Sequence, residues 1–172
     1  IQFNALGGAD NVVVNDLSGT DAKLVNIDLS APAGSGTGDG QPDTVSVNGT
    51  AGADHITVSG DAASIVVQGL PAQVTIKGAE GSNDSLLVNG LGGDDTIDAS
   101  ALNAGLIKLT IDAGTGNDTI FGSRGADVLR GGDGDDAVTG RQGDDVAFLG
   151  AGDDTFVWNP GDGSDTVEGQ DG

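Results

Sequence analysis

The chain has 172 residues, 32 of them glycine, and 27 acidic side chains against 6 basic ones, for a formal net charge of −21. Such a charge repels nucleic acid and anionic membrane and attracts cations. Without cysteine or methionine there is no disulfide framework and no thiolate metal site, and no apolar run is long enough to cross a membrane or to act as a signal peptide.

The acids themselves are selective. Only Glu80 and Glu168 are glutamate; the rest are aspartate. Aspartate is short, holds its carboxylate close to the backbone and favours turns, whereas a merely solvated surface would use glutamate freely. Between the turns lie short runs of Val, Leu, Ile and Ala, so a core can form once the charge is neutralised.

In chain order, β-branched or alternating runs predict strands at 11–17, 23–29, 43–47, 55–58, 64–68, 73–77, 85–88, 95–98 and 106–111. No stretch has a helical period. The segment from Pro32 to Pro42 is a loop. A long internal repeat is visible: the residues from Pro42 resemble those from Asn83, with Asp43 and Asp54 matching Asp84 and Asp95, and Val74-Thr75-Ile76 matching Leu109-Thr110-Ile111 downstream. Gly8-Ala9-Asp10-Asn11-Val12 is a further echo. Residues 1–112 therefore read as degenerate coils of a β-solenoid, with an antiparallel β-sandwich as the alternative. Turns 81–84 and 92–95 are weaker candidates for cation binding.

From Ala113 the chain divides by nine: AGTGNDTIF, GSRGADVLR, GGDGDDAVT, GRQGDDVAF, LGAGDDTFV. Asp118, Asp127, Asp136, Asp145 and Asp154 recur at this interval. Gly116, Gly125, Gly134, Gly143 and Gly152 precede them by two, and Ile120, Leu129, Val138, Ala147 and Phe156 follow by two. The pattern returns after eleven residues as Gly163, Asp165 and Val167. Each unit predicts six turn residues and a strand of three, too short to survive unless copies stack. If two units make one coil, Asp118, Asp136 and Asp154 form one column and Asp127, Asp145 and Asp165 another. Carboxylates one strand spacing apart, about 4.8 Å, repel by roughly 3–4 kcal/mol at an effective dielectric near 20. The columns therefore require a divalent cation. Calcium fits best, because it accepts six to eight oxygens, including carbonyls, in flexible geometry. Zinc prefers nitrogen or sulfur, and His55 is the single imidazole.

Residues 113–157 resemble the RTX, or haemolysin-type, nonapeptide repeat, GGxGxDxUx with U apolar, found in secreted bacterial proteins. The resemblance implies a right-handed parallel β-roll at 113–172 and several Ca2+ ions held by the sixth-position aspartates and glycine-turn carbonyls. The implied metal set is Gly114, Gly116, Asp118, Gly125, Asp127, Gly131, Asp133, Gly134, Asp136, Gly143, Asp145, Gly152, Asp154 and Asp165. Asp135, Asp144 and Asp153 sit beside these ligands and read chiefly as charge that raises the local field; the Asp133 side chain reads the same way, its place in the set being that of a glycine-turn carbonyl.

No nucleophile elbow, Walker or zincin motif occurs, so the expected function is non-catalytic. The leading expectation is calcium binding coupled to folding of a larger protein that leaves the cell unfolded by type I secretion. The alternative is a calcium-stiffened adhesin or surface-layer segment. Expected partners are calcium ions, with neither nucleic acid nor membrane insertion, and self-association through the solenoid ends or the region of Phe148 and Trp158. The chain begins at Ile1 and stops at Asp171-Gly172 inside what reads as another repeat, as a piece of a longer protein would.

Overall fold

Glycine and aspartate at the turns, with β-branched and aliphatic residues between them, favour short strands. The computed structural model, which describes residues 1–170, holds strands and no helix among those residues. Asp171-Gly172, where the chain was expected to stop inside another repeat, lie outside the described residues. The strands are β1 (Gln2–Asn4), β2 (Asn11–Val14), β3 (Leu24–Asp28), β4 (Thr44–Asn48), β5 (His55–Gly60), β6 (Ile65–Gln68), β7 (Gln73–Lys77) and β8 (Ser85–Gly92). After them come β9 (Thr96–Leu102), β10 (Lys108–Thr115), β11 (Thr119–Phe121), β12 (Val128–Asp133), β13 (Ala137–Thr139), β14 (Val146–Ala151), β15 (Thr155–Val157) and β16 (Thr166–Glu168).

Two sheets form, ordered β1-β3-β7-β6-β5-β9-β11-β13-β15 and β16-β14-β12-β10-β8-β4-β2. From β8 onward consecutive strands alternate between the sheets, and every pairing is parallel. Thr110 lies opposite Val128 and Val128 opposite Val146; in the other sheet Thr119 lies opposite Ala137 and Ala137 opposite Thr155. Each step is two nonapeptides, so two repeats complete one circuit through both sheets.

The same alternation runs from β1 to β5. There β6 and β7 intervene as an antiparallel meander on β5, and β7 closes against β3 in parallel. The remaining pairings of the first 112 residues are parallel, so the antiparallel sandwich is not what forms. The long repeat is real in register: Thr44 lies opposite Ser85 and His55 opposite Thr96. Its downstream part is not. Val74-Thr75-Ile76 belongs to the sheet of β3, while Leu109-Thr110-Ile111 belongs to the other sheet. The inserted β6–β7 meander moves that stretch of the first copy onto the opposite face.

Alternate residues of both sheets point inward and meet in one core. Val47, Val88, Ile111, Leu129 and Ala147 stack on one side, and Ile56, Ile97, Ile120 and Val138 on the other, all fully buried. Burying such a side chain is worth about 1.5–3 kcal/mol. The U residue of each nonapeptide thus supplies one layer of core. The expectation of three-residue strands holds for β11, β13 and β15 but not for β12 and β14, which have six residues. There the first turn residues stay in the ladder, with Gly132 opposite both Gly114 and Gly150.

Candidate metal centre

The aspartates before the strands stack as the spacing predicts. The Asp118 N–H donates to Asp136 Oδ1 at 2.8 Å, and the Asp136 N–H to Asp154 Oδ1 at 2.9 Å. This column extends further back than the regular repeats, because the Asp54 N–H donates to Asp95 Oδ1 and the Asp95 N–H to Asp118 Oδ1, both at 2.7 Å. On the other edge the Asp127 N–H donates to Asp145 Oδ1 at 2.9 Å and the Asp145 N–H to Asp165 Oδ1 at 3.0 Å. A shorter ladder on that edge joins Asp10, Asp43 and Asp84, through bonds of 2.8 and 2.9 Å. It is separated from Asp127 by the turn at 103–107, which contains no aspartate. Each carboxylate thereby clamps one circuit to the next through Oδ1.

The second oxygen sorts the turns into two kinds. In Asp54, Asp84 and Asp127 it accepts an N–H from the residue four earlier: Thr50 at 2.7 Å, Glu80 at 2.7 Å and Ser123 at 2.5 Å. These turns close on themselves. In Asp95, Asp118, Asp136, Asp145, Asp154 and Asp165 the Oδ2 is buried and has no hydrogen-bond partner. In those turns the residue four earlier has positive φ: Leu91 (+80°), Gly114 (+108°), Gly132 (+117°), Arg141 (+74°), Gly150 (+109°) and Gly161 (+101°). The left-handed backbone turns that N–H away from the carboxylate and leaves an open, oxygen-lined turn.

A buried carboxylate oxygen without a donor is costly and marks a missing positive group. The surroundings fit a hard cation. A Cβ placed on Gly131 would lie 2.3 Å from both Asp136 Oδ2 and the Leu149 carbonyl oxygen of the next circuit, and one on Gly90 would lie 2.2 Å from Asp95 Oδ2 and 2.4 Å from the Ala113 carbonyl oxygen. Carboxylate and carbonyl oxygens thus converge beside these glycines. No three His, Cys, Asp or Glu side chains gather among the described residues, so main-chain carbonyls have to supply much of the coordination. That is calcium chemistry rather than zinc chemistry. Burial is the main cause that pushes the carboxyls of Asp118 and Asp127 up to about 6 and that of Asp145 to about 7; neighbouring aspartates add to the shift at Asp118 and Asp145. Asp43, Asp84, Asp95 and Asp136 are raised for the same leading reason.

A family model described as RTX calcium-binding nonapeptide repeat (4 copies) matches residues 87–103, 110–138 and 130–157. These segments are RTX repeats. RTX repeats bind Ca2+. Comparison with curated proteins and with solved structures returns no match.

Within the RTX repeats the expected ligand residues occupy different places. Asp118, Asp136, Asp145 and Asp154, with Asp165 beyond them, carry the free Oδ2 atoms. Asp127 occupies the same register, but Ser123 closes its turn, donating from its hydroxyl to Oδ1 at 2.8 Å as well as from its N–H to Oδ2. Gly116, Gly134, Gly143 and Gly152 have positive φ and pack directly on the carbonyl oxygens of the preceding circuit. Gly114 and Gly131 line the ladder side of the turns, and Gly125 packs on Ala104. The Asp133 side chain is exposed, away from the buried column, and its carbonyl accepts the Gly116 N–H at 2.8 Å.

Two features of the turns lie outside the count of nine and its sixth-position aspartates. Gly90-Leu91-Gly92-Gly93-Asp94-Asp95-Thr96-Ile97 is a repeat in its own right, out of step with the count of nine by five residues. The aspartates at the fifth position also do more than raise the field. The Asn117 N–H donates to Asp94 Oδ1, the Asp135 N–H to Asn117 Oδ1 and the Asp153 N–H to Asp135 Oδ1, each at 2.9 Å. This second ladder runs opposite in sense to the first, and the Ser164 N–H repeats it to Asp144 Oδ1 on the other edge. The signal was an Asp or Asn immediately before most sixth-position aspartates. Phe148 is half-buried with the Arg130 guanidinium 4.9 Å above its ring, whereas Trp158 is 66% exposed. His55 is an exposed residue of β5.

Proposed function

We propose that this chain is a right-handed parallel β-roll solenoid whose folding is coupled to calcium, and that it serves as a non-catalytic module of a secreted bacterial protein. Residues 1–112 form its degenerate coils and 113–172 its regular part. The observation that carries the reading is the set of buried Oδ2 atoms without partners in the open turns. A carboxyl raised by burial from 3.8 to about 6 resists ionisation, and several such groups in one core weigh against a fold whose net stability is ordinarily only about 5–15 kcal/mol. Bound calcium would supply the neutralising charge between circuits, held by the turn carbonyls and the sixth-position aspartates of the open turns. For sites with dissociation constants near 10⁻⁴ M, millimolar calcium stabilises the fold by about 1.4 kcal/mol per site. The same chain in a calcium-poor cytosol stays unfolded, which suits export as an unfolded polypeptide followed by folding outside.

Circular dichroism of the chain in millimolar calcium, then in excess EGTA, tests this. The expected result is loss of the β signal on chelation and its return on adding calcium. A β signal indifferent to EGTA refutes the coupling.

A second reading, a calcium-stiffened adhesin or surface-layer segment, draws support from Val157, Trp158 and Val167, which are 41%, 66% and 42% exposed beside the edge strands β15 and β16. Calcium-dependent end-to-end association, followed by sedimentation velocity, distinguishes it from the first.

A further inference from the structure

Outside the matched repeats, acidic residues recur in the stacked turns at 5–10, 38–43 and 80–84. Asp43 is 1% exposed, and its Oδ2 has no hydrogen-bond partner. The Oδ2 of Asp10 is also buried and unpartnered. Around them, Asp39 Oδ2 accepts the Gly8 N–H at 2.7 Å, and Glu80 Oε2 accepts the Gly40 N–H at 2.6 Å. A Cβ on Gly38 would lie 2.6 Å from that same Oε2. Asp10, Asp39 and Asp84 are the charges that act on Asp43.

We propose that the turns at 5–10 and 38–43 hold a further divalent cation of the size and hardness of calcium, with Asp10 and Asp43 as side-chain ligands and Asp39 and Glu80 alongside. The proposal rests on the reading that a buried, unpartnered Oδ2 marks a cation-binding turn. Two independent features support it. The Asp10 N–H donates to Asp43 Oδ1 at 2.8 Å, the clamp that joins successive RTX turns. Leu6, four residues before Asp10, has φ of +67°, matching Leu91 at +80° and Arg141 at +74° in the open turns of Asp95 and Asp145; Asp39, four residues before Asp43, has no positive φ, so this feature belongs to the Asp10 turn alone. A left-handed leucine is strained, and its backbone leaves the carboxylate oxygen free rather than capping it. Asp84, next in the ladder, lacks this feature: its Oδ2 takes the Glu80 N–H at 2.7 Å, so the site ends there. All the donors are oxygens and no thiol or imidazole is near, which selects a hard cation.

Native mass spectrometry of the whole chain in calcium tests the site by counting bound ions, with amide hydrogen exchange as a local readout. We expect Asp43→Asn to bind one calcium fewer than the parent, with the repeats keeping their calcium-dependent protection. Calcium should protect amides at 5–10 and 38–43 in the parent and not in the variant. Asp10→Asn, less buried, should give the same loss of one ion and covers the case in which Asp43→Asn does not fold. Asp118→Asn serves as the control within the repeats. If Asp118→Asn loses an ion while both N-terminal variants keep the full count, this site is refuted and the repeat reading stands. If none of the three loses an ion, both readings fall.

Discussion

At the scale of single residues, register and chemistry separate. Asp118 and Asp127 both occupy the sixth position of a nonapeptide, yet one Oδ2 is free and the other is held by Ser123. Asp118→Asn should therefore remove a calcium ion, while Asp127→Asn should leave the ion count unchanged in calorimetric titration. Ser123→Ala should also keep the count and should destabilise the calcium-loaded fold by about 1.5–3 kcal/mol, the scale of a lost hydrogen bond to a charged group. An ion lost in Asp127→Asn, or none lost in Asp118→Asn, contradicts the division into closed and open turns. Acid provides a second test. Asp118 and Asp127 titrate at about 6 and Asp145 at about 7 in the fold, all above the ordinary 3.8. The folded chain then binds more protons than the unfolded one between these limits, so raising the pH costs stability. The metal-free chain should have its strongest β signal and highest melting temperature at or below about pH 4, lose both progressively above it, and lose the last of this stabilisation as the pH passes 6–7. Calcium affinity should move the other way, falling as acid protonates the ligands. A metal-free melting temperature that rises with pH over this interval contradicts the assignment.

At the scale of the turn, glycine is needed where two circuits touch. Gly134 has φ of +134°, and a Cβ there would lie 2.1 Å from the Gly116 carbonyl oxygen. Gly134→Ala has to shift backbone against backbone as well as adopt an unfavourable φ, together at least about 1–3 kcal/mol. It should raise the calcium concentration needed for half-maximal β signal. Gly52 has no positive φ, and a Cβ there would meet nothing within 4 Å. Gly52→Ala is the matched control and should leave that midpoint in place. The elements themselves were largely legible. Alternation or β-branching placed the strands at 24–28, 44–48, 73–77 and 85–92 to within a few residues. Strand β1, with only Phe3 half-buried, carries too short a pattern to stand out.

At the scale of the molecule, the aspartate column does not stop where the count of nine begins. Asp95 and Asp54 continue it, and β10 pairs with β8 on one side and β12 on the other. The loss of order on chelation should therefore reach beyond residue 113. Hydrogen exchange under EGTA should show deprotection of the turn at 90–95 together with those at 113–118 and 131–136. Protection at 90–95 that ignores calcium would confine the coupling to the regular repeats.

The sequence by itself determined the chemistry and the period. Aspartate concentrated at turns, with glycine two residues before it and an apolar residue two after it in each nonapeptide, dictates stacked turns with an acidic edge, because a nine-residue unit can bury its single apolar side chain only against its neighbours. A circuit of two units, which the period of nine allows but does not impose, is the register observed. Only the tertiary structure decided which turns are open. In most turns that depends on the backbone four residues before the aspartate: Leu6, Leu91 and Arg141 take a left-handed conformation that their residue types do not announce, whereas Thr50, Glu80 and Ser123 donate to the carboxylate instead; Asp43 is the exception, its Oδ2 unpartnered although Asp39 has no positive φ. It also decided where the β6–β7 meander interrupts the alternation, since a local strand pattern does not reveal which sheet a strand joins. The local code is written in residue type; the pairing of a buried oxygen is settled by a backbone conformation that packing between circuits imposes.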